Sequence, residues 1–318
     1  MNYRSIADLS NTIRKNLYKL PRDIDLVVGI PRSGLLPANM IALSQNIKLI
    51  DLSGFLADTP LKHGRTRESQ FTNVLKPSDA KHVLVVDDSI DSGISLANVK
   101  AQIAEAGIEQ KITYCTVYAT MKSSSLPDIF FEIVPHPRTF EWNVMHRSIL
   151  TQCCLDIDGV LCLDPTSSEN DDGLLYIDFI TNVPPLVIPS YRVGHLVTSR
   201  LEKYRRETEQ WLEKHGFVYG QLHMLDLPDA ETRRRLRCHA SFKAKVFRGL
   251  KDAELFIESE PRQAAEIANT AGKPTLCFST QKMYYPNVSY AFIEKNAQTF
   301  ARRVLNKLKR IAKKMFLL

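Results

Sequence analysis

A chain of 318 residues, 44% of them hydrophobic, is longer than a typical single domain and can bury ordinary globular cores, so two domains are expected. The opening MNYRSIADLSNTIRKN is polar and no run of about 18 uncharged apolar residues follows it, which argues against secretion and membrane spanning and for a cytoplasmic protein. The net charge of +7 belongs to the end of the chain: residues 301–318 hold seven Lys or Arg and no acid, the remainder is balanced, and charge gives no case for nucleic-acid binding.

In chain order, LVVGI (26–30), HVLVVDD (82–88), ITYCTVYA (112–119), CCLDIDGVL (153–161), GHLVTS (194–199), AELFIES (253–259) and KPTLCFS (273–279) are short, apolar and bounded by turn residues. Such runs predict buried parallel strands. Between them, ISLANVKAQIAEAG (94–107), RLEKYRRETEQWLEKHG (200–216) and PRQAAEIANTAG (261–272) predict helices, the last with Pro261 at its start and Gly272 at its end. This alternation predicts an α/β chain of two doubly wound parallel-sheet domains. The boundary is expected near residues 140–151, giving domains 1–148 and 149–290 and a basic amphipathic helix over 291–318. The six cysteines form no CxxC pair, and several lie in strand-like runs, as reduced core thiols would.

The segment VLVVDDSIDSGIS (83–95) ends an apolar strand with Asp87 and Asp88 and continues into a loop of small and hydroxyl-bearing residues that opens a helix. Carboxylates at a strand end can accept hydrogen bonds from vicinal ribose hydroxyls. The amides that follow, with the Ser92 and Ser95 hydroxyls, can cradle a phosphate at the helix N-terminus, and Gly93 permits the tight turn. A strand-to-helix turn with an Asp N-cap would also carry these residues. As a whole, the pattern resembles the phosphoribosyl pyrophosphate (PRPP) signature of type I phosphoribosyltransferases, which also places Ser89 at the ligand. LVVGIPRSGLLPA (26–38) resembles that family's pyrophosphate loop, with Arg32, Ser33 and Gly34 as contacts. DTPLKHGRTRESQF (58–71) stands where the family has its mobile loop, so Lys62, Arg65 and Arg67 would close over pyrophosphate. The resemblance, over about residues 20–125, implies magnesium-assisted loss of pyrophosphate from C1 of the ribose, with Asp91 as general base on the acceptor.

A second strand end carries Asp156 and Asp158 in CCLDIDGVL, spaced so that both can face one magnesium. The sequence is similar to the first motif of the haloacid dehalogenase (HAD) superfamily. That resemblance makes Asp156 the nucleophile that forms an aspartyl phosphate and Asp158 the acid/base. Thr198 would hydrogen bond the phosphoryl group, with Ser199 as substitute. Lys243 would neutralise its charge, with Lys245 competing, and Glu258 and Glu260 would join Asp156 and Asp158 around the metal. Only 38 residues separate Gly159 from Thr198 and 44 separate Thr198 from Lys243, too few for a large cap, so an open site suited to a phosphate on a bulky carrier is expected.

Near the C-terminus, Phe300, Val304, Leu308, Ile311 and Met315 recur at steps of three and four among cations. This predicts either a helix at the cytoplasmic face of an anionic inner membrane or one packed on the second domain with a solvated basic face. Together, the halves resemble bifunctional ribosyltransferase-phosphatases that install ribofuranose in bacterial surface polysaccharides. The resemblance implies transfer of 5-phosphoribosyl from PRPP to a hydroxyl of a lipid-linked glycan with inversion to a β-ribofuranoside, followed by hydrolysis of the 5-phosphate. The alternatives are a nucleobase phosphoribosyltransferase fused to a nucleotidase and a PRPP-sensing regulator. A homo-oligomer is compatible with all three. The first domain shows no obvious aromatic segment for stacking a base.

Overall fold

The computed structural model describes residues 1–62 and 73–287. Arg65, Arg67 and the expected helix over 291–318, including the membrane-seeking stretch 298–318, lie outside the described residues. The chain divides after Trp142 into two compact units, Met1–Trp142 and Asn143–Leu318. Among the described residues no helix is long and apolar enough to cross a membrane.

The first unit opens with β1 (Asn2–Arg4) and α1 (Ile6–Asn16), whose N-terminus is closed by a reciprocal capping box between Ser5 and Asp8. Next come β2 (Leu26–Gly29), α2 (Leu35–Gln45), β3 (Lys48–Asp51) and α3 (Leu52–Leu56). They lead to β4 (His82–Ser89), α4 (Ile94–Glu105), β5 (Lys111–Ala119), β6 (Ile129–Ile133) and β7 (Arg138–Phe140). The main sheet is parallel throughout, in the order β3-β2-β4-β5-β6, while β1 pairs with β7 in a separate two-stranded sheet. Both faces of the main sheet are covered, which is why its strands read as unbroken apolar runs. Val27 and Leu84 pack with Leu9, Ile13 and Ile41 on one side. Their neighbours Leu26, Val28, Val83 and Val85 pack with Phe55, Val99 and Ile103 on the other. Each such side chain fully removed from water contributes roughly 1.5–3 kcal/mol. The strand given the two acidic residues, β4, is therefore central, and its C-terminal end sits where ligands of such sheets bind.

The second unit contains β8 (Cys153–Leu155), α5 (Leu174–Asn182), β9 (Val193–Leu201), α6 (Arg205–Lys214) and β10 (Tyr219–Leu225). It continues through α7 (Ala230–Leu236), α8 (His239–Gly249), β11 (Leu255–Glu258), α9 (Pro261–Ala271), β12 (Thr275–Cys277) and β13 (Lys282–Tyr284). The order is β10-β9-β8-β11-β12-β13, parallel except for the antiparallel edge strand β13. Cys154, Val197, Phe247, Phe256 and Ile267 form its core. All six cysteines are free thiols, five of them buried.

Two expected elements differ in extent. The run CCLDIDGVL is a strand only through Leu155, because the chain then turns at Gly159, whose φ is 75°. The expected helix over 200–216 begins at Arg205, since Arg200 and Leu201 complete β9 and a 3₁₀ turn follows. Arg200 is fully buried and faces the acidic turn, which keeps this stretch extended.

Candidate functional site

At the C-terminal end of β4, Asp88 is almost fully buried and Asp87 half-buried. The Ser33 hydroxyl donates to Asp88 Oδ1 at 2.9 Å, and the indole Nε1 of Trp142 donates to Asp88 Oδ2 at 2.7 Å. Asp87 Oδ1 accepts from the Asp88 amide at 2.9 Å. Burial first, and the Asp88 charge second, push the Asp87 carboxyl up to about 8. The loop carrying Ser33 is held beside this strand by the Ile30 amide on the Val86 carbonyl at 3.0 Å. A Cβ on Gly34 would lie 2.6 Å from the Ile30 carbonyl oxygen and 2.8 Å from that of Val86, so only glycine fits there. The peptide bond between Pro31 and Arg32 is cis. Beyond β4, Gly93 adopts a φ of 82° and starts α4, with exposed Ser92 and Ser95 on either side. Exposed Asp91 meets His136 Nε2 at 3.0 Å. Arg138 donates to the Ile90 carbonyl at 2.7 Å, tying β7 to the loop that carries Asp91. Lys62 and Arg32 are solvent-exposed and Ser89 is half-buried at the strand end.

In the second unit a cavity of about 310 Å³ opens at the end of the sheet, walled by Asp156, Asp158, Ser199, Lys243, Glu258 and Glu260 among others. Lys243 Nζ bridges the two innermost carboxylates, at 2.5 Å from Asp156 Oδ2 and 2.7 Å from Glu258 Oε2, and all three residues are nine-tenths or more buried. Burial pushes the Asp156 carboxyl up to about 7, opposed by Lys243 and reinforced by the charges of Glu258 and Asp158. The paired carboxylates hold the Lys243 ammonium well above its usual value despite burial. The remaining oxygens are placed by main-chain amides: Ile157 donates to Asp156 Oδ1 at 2.8 Å and Ser259 to Glu258 Oε1 at 3.0 Å. Asp158 is held by the Arg200 guanidinium, with Nη2 at 2.6 Å from Oδ1 and Nε at 3.2 Å from Oδ2. Glu260 Oε2 accepts from the Gln263 amide at 2.7 Å as the N-cap of α9. Among the described residues no three carboxylate, histidine or cysteine side chains gather as a metal cage.

Residues 2–148 match the family model of the phosphoribosyl transferase domain. Among solved structures, the chain is similar to a purine phosphoribosyltransferase from Pyrococcus horikoshii Ot3, at 20% identity over 44% of this chain and 92% of that one, with a TM-score of 0.32. It is also similar to the xanthine-guanine-hypoxanthine phosphoribosyltransferase of Helicobacter pylori, at 19% identity over 45% of this chain and 92% of that one, with a TM-score of 0.33.

Within the matched domain, Ser33, Gly34, Asp87 and Asp88 come together at one strand end, whereas Arg65 and Arg67 fall outside the described residues. In the second unit Thr198 stands apart from the other candidates. It is fully buried and its hydroxyl accepts from the Arg200 amide at 3.2 Å; Ser199 lines the cavity, but its own Oγ is buried and has no hydrogen-bond partner among the described residues. Of the two lysines, Lys243 faces inward and Lys245, two residues along α8, is exposed on its other side. Two residues at these sites carried no motif: Trp142 and Arg200. Arg200 had one signal, a charge two residues beyond Thr198 and before the end of an apolar run.

Proposed function

We propose that the first unit transfers 5-phosphoribosyl from PRPP to an acceptor and that the second removes the 5-phosphate the transfer leaves behind. The match over residues 2–148 supports the first step, and the buried Asp156–Lys243–Glu258 chain is the observation that carries the second. In this reading Asp87 and Asp88 receive the ribose hydroxyls, the 89–95 loop takes the 5-phosphate and the loop of Arg32, Ser33 and Gly34 takes the pyrophosphate. Asp91, paired with His136, accepts the proton of the attacking group.

In the second unit Asp156 attacks phosphorus, the bond from phosphorus to the sugar 5-oxygen breaks and protonated Asp158 gives its proton to the departing alcohol, while Lys243 offsets charge on the phosphoryl oxygens. Thr198, or Ser199 as its substitute, would offer a hydroxyl to that group. Asp158, oriented by Arg200, takes the proton of the water that hydrolyses the aspartyl phosphate. Magnesium would sit on Asp156 and Glu258, hard oxygen donors on one cavity, as suits an ion that keeps much of its water and uses one or two carboxylates, while Asp158 has both oxygens on Arg200. When bound it neutralises phosphate charge. Glu260, engaged as a helix cap, is left out of this set.

Two acceptors fit. A glycan hydroxyl gives the fusion a chemical purpose, because every product of the first step carries a phosphomonoester whose hydrolysis makes ribosylation irreversible. A nucleobase is favoured by Trp142, a half-buried indole on Asp88 that stacks on Phe140 with ring centroids 5.0 Å apart and supplies an aromatic surface not evident in the sequence. Pyrophosphate release from PRPP and magnesium, assayed with purines, pyrimidines and orotate and separately with a lipid-linked glycan, distinguishes them. Release with only one class identifies the acceptor. PRPP binding without release in either assay would overturn the transferase reading in favour of a PRPP sensor.

A further inference from the structure

Among the described residues, three buried cations belong to the cavity end of the second sheet, and two of them are neutralised. Lys243 has Asp156 and Glu258, and Arg200 has Asp158. The third, Arg233, is 6% exposed and lines the same cavity, yet among the described residues no carboxylate pairs with it. Its Nη1 donates to the Ser199 carbonyl at 2.9 Å and its Nη2 to the Asn170 side-chain oxygen at 3.1 Å, both uncharged partners. Its Nε is buried and has no hydrogen-bond partner among the described residues, and the guanidinium also meets the Tyr176 hydroxyl, another uncharged group.

An arginine removed from water without an anion is costly, so its position calls for a charge that arrives with a ligand. The scaffold around it is tied by hydrogen bonds. Asp229 caps α7 through the Thr232 amide at 2.7 Å, and Asp172 anchors the Ala230 amide at 3.0 Å, fastening α7 to the segment that carries Asn170. His239, also on the cavity wall, is held down to about 4 by burial and by the charges of Arg233 and Lys243, so it adds no cation of its own at neutral pH.

We propose that Arg233 is a substrate-binding residue of the phosphatase site that contacts the phosphoryl group itself, completing with Lys243 a two-cation clamp on a phosphomonoester dianion. This rests on the phosphatase reading above. It assigns the unpaired guanidinium to the group common to all substrates, not to a second anionic group on the leaving alcohol.

The test uses the full chain with p-nitrophenyl phosphate, whose only anionic group at neutral pH is the phosphoryl, and with inorganic phosphate as ligand. Arg233→Met should raise KM for p-nitrophenyl phosphate and weaken phosphate binding by about tenfold to a hundredfold, with Arg233→Lys in between. Phosphate binding is measured by calorimetry in an Asp156→Asn background, so turnover does not enter. Wild-type KM and wild-type phosphate affinity in folded Arg233→Met would overturn the proposal, as would a fall in Tm with unchanged kinetics. Should Arg233→Met not fold, the same readings on Arg233→Lys decide, and wild-type values there would also overturn it. If the unmodified chain neither hydrolyses p-nitrophenyl phosphate nor binds phosphate, the phosphatase reading itself falls, and this inference with it.

Discussion

Single carboxylates in this chain differ in role through what surrounds them. Asp87 is raised to about 8 by burial and by Asp88, so the folded protein keeps a proton that the unfolded chain releases near the ordinary carboxylate value. The contribution of this proton to stability is present below about pH 4 and is lost as pH rises through about 8. In PRPP-free buffer, denaturant midpoints should therefore fall over this window with a shallower slope in Asp87→Asn than in the unmodified protein. An identical slope would show that Asp87 titrates normally. Glu258 and Glu260 make a second contrast. Glu260→Ala should lose about 1 kcal/mol of stability with its helix cap while leaving phosphatase turnover close to wild type. Glu258→Ala should lose turnover by about 10²-fold or more, because it leaves Lys243 with one carboxylate and takes away a metal donor. Thermal melts and steady-state rates of the two variants read both effects. Spacing alone could not separate these glutamates, since helix capping is decided by where the backbone turns after β11. Spacing leaves Thr198 and Ser199 open for the same reason, because the choice depends on which way the last residues of β9 face.

Among elements, those legible in the sequence are the ones covered on both sides. β2, β4, β5, β9 and β11 are central or near-central strands with unbroken apolar runs. Edge strands were not legible: β10 (YGQLHML) mixes polar and apolar residues because much of it stays partly exposed, and β13 is only three residues long. The loop between β2 and α2 is fixed by close backbone approach. Gly34→Ala would bring a methyl within 2.6 Å of the Ile30 carbonyl and 2.8 Å of the Val86 carbonyl, both main-chain atoms that cannot swing away. We predict a loss of about 1–3 kcal/mol and a marked weakening of PRPP binding, since the displaced loop carries Arg32 and Ser33. Titration calorimetry with PRPP and a chemical melt would check this, and unaltered affinity would show that the loop is not part of the ligand site.

For the molecule as a whole, two α/β units each end a central strand in acidic residues, and the proposed chemistry links them in sequence: one makes a phosphomonoester and the other removes it. The family-model match over residues 2–148 supports the first step; the second rests on its own geometry, chiefly the lysine shared between Asp156 and Glu258. The most direct test is Asp156→Asn with PRPP, magnesium and the acceptor identified by the pyrophosphate assay, followed by mass spectrometry of the product. The account predicts that the variant accumulates a phosphoribosylated product while the unmodified protein releases inorganic phosphate and yields the dephosphorylated riboside. The same final product from both proteins would contradict it.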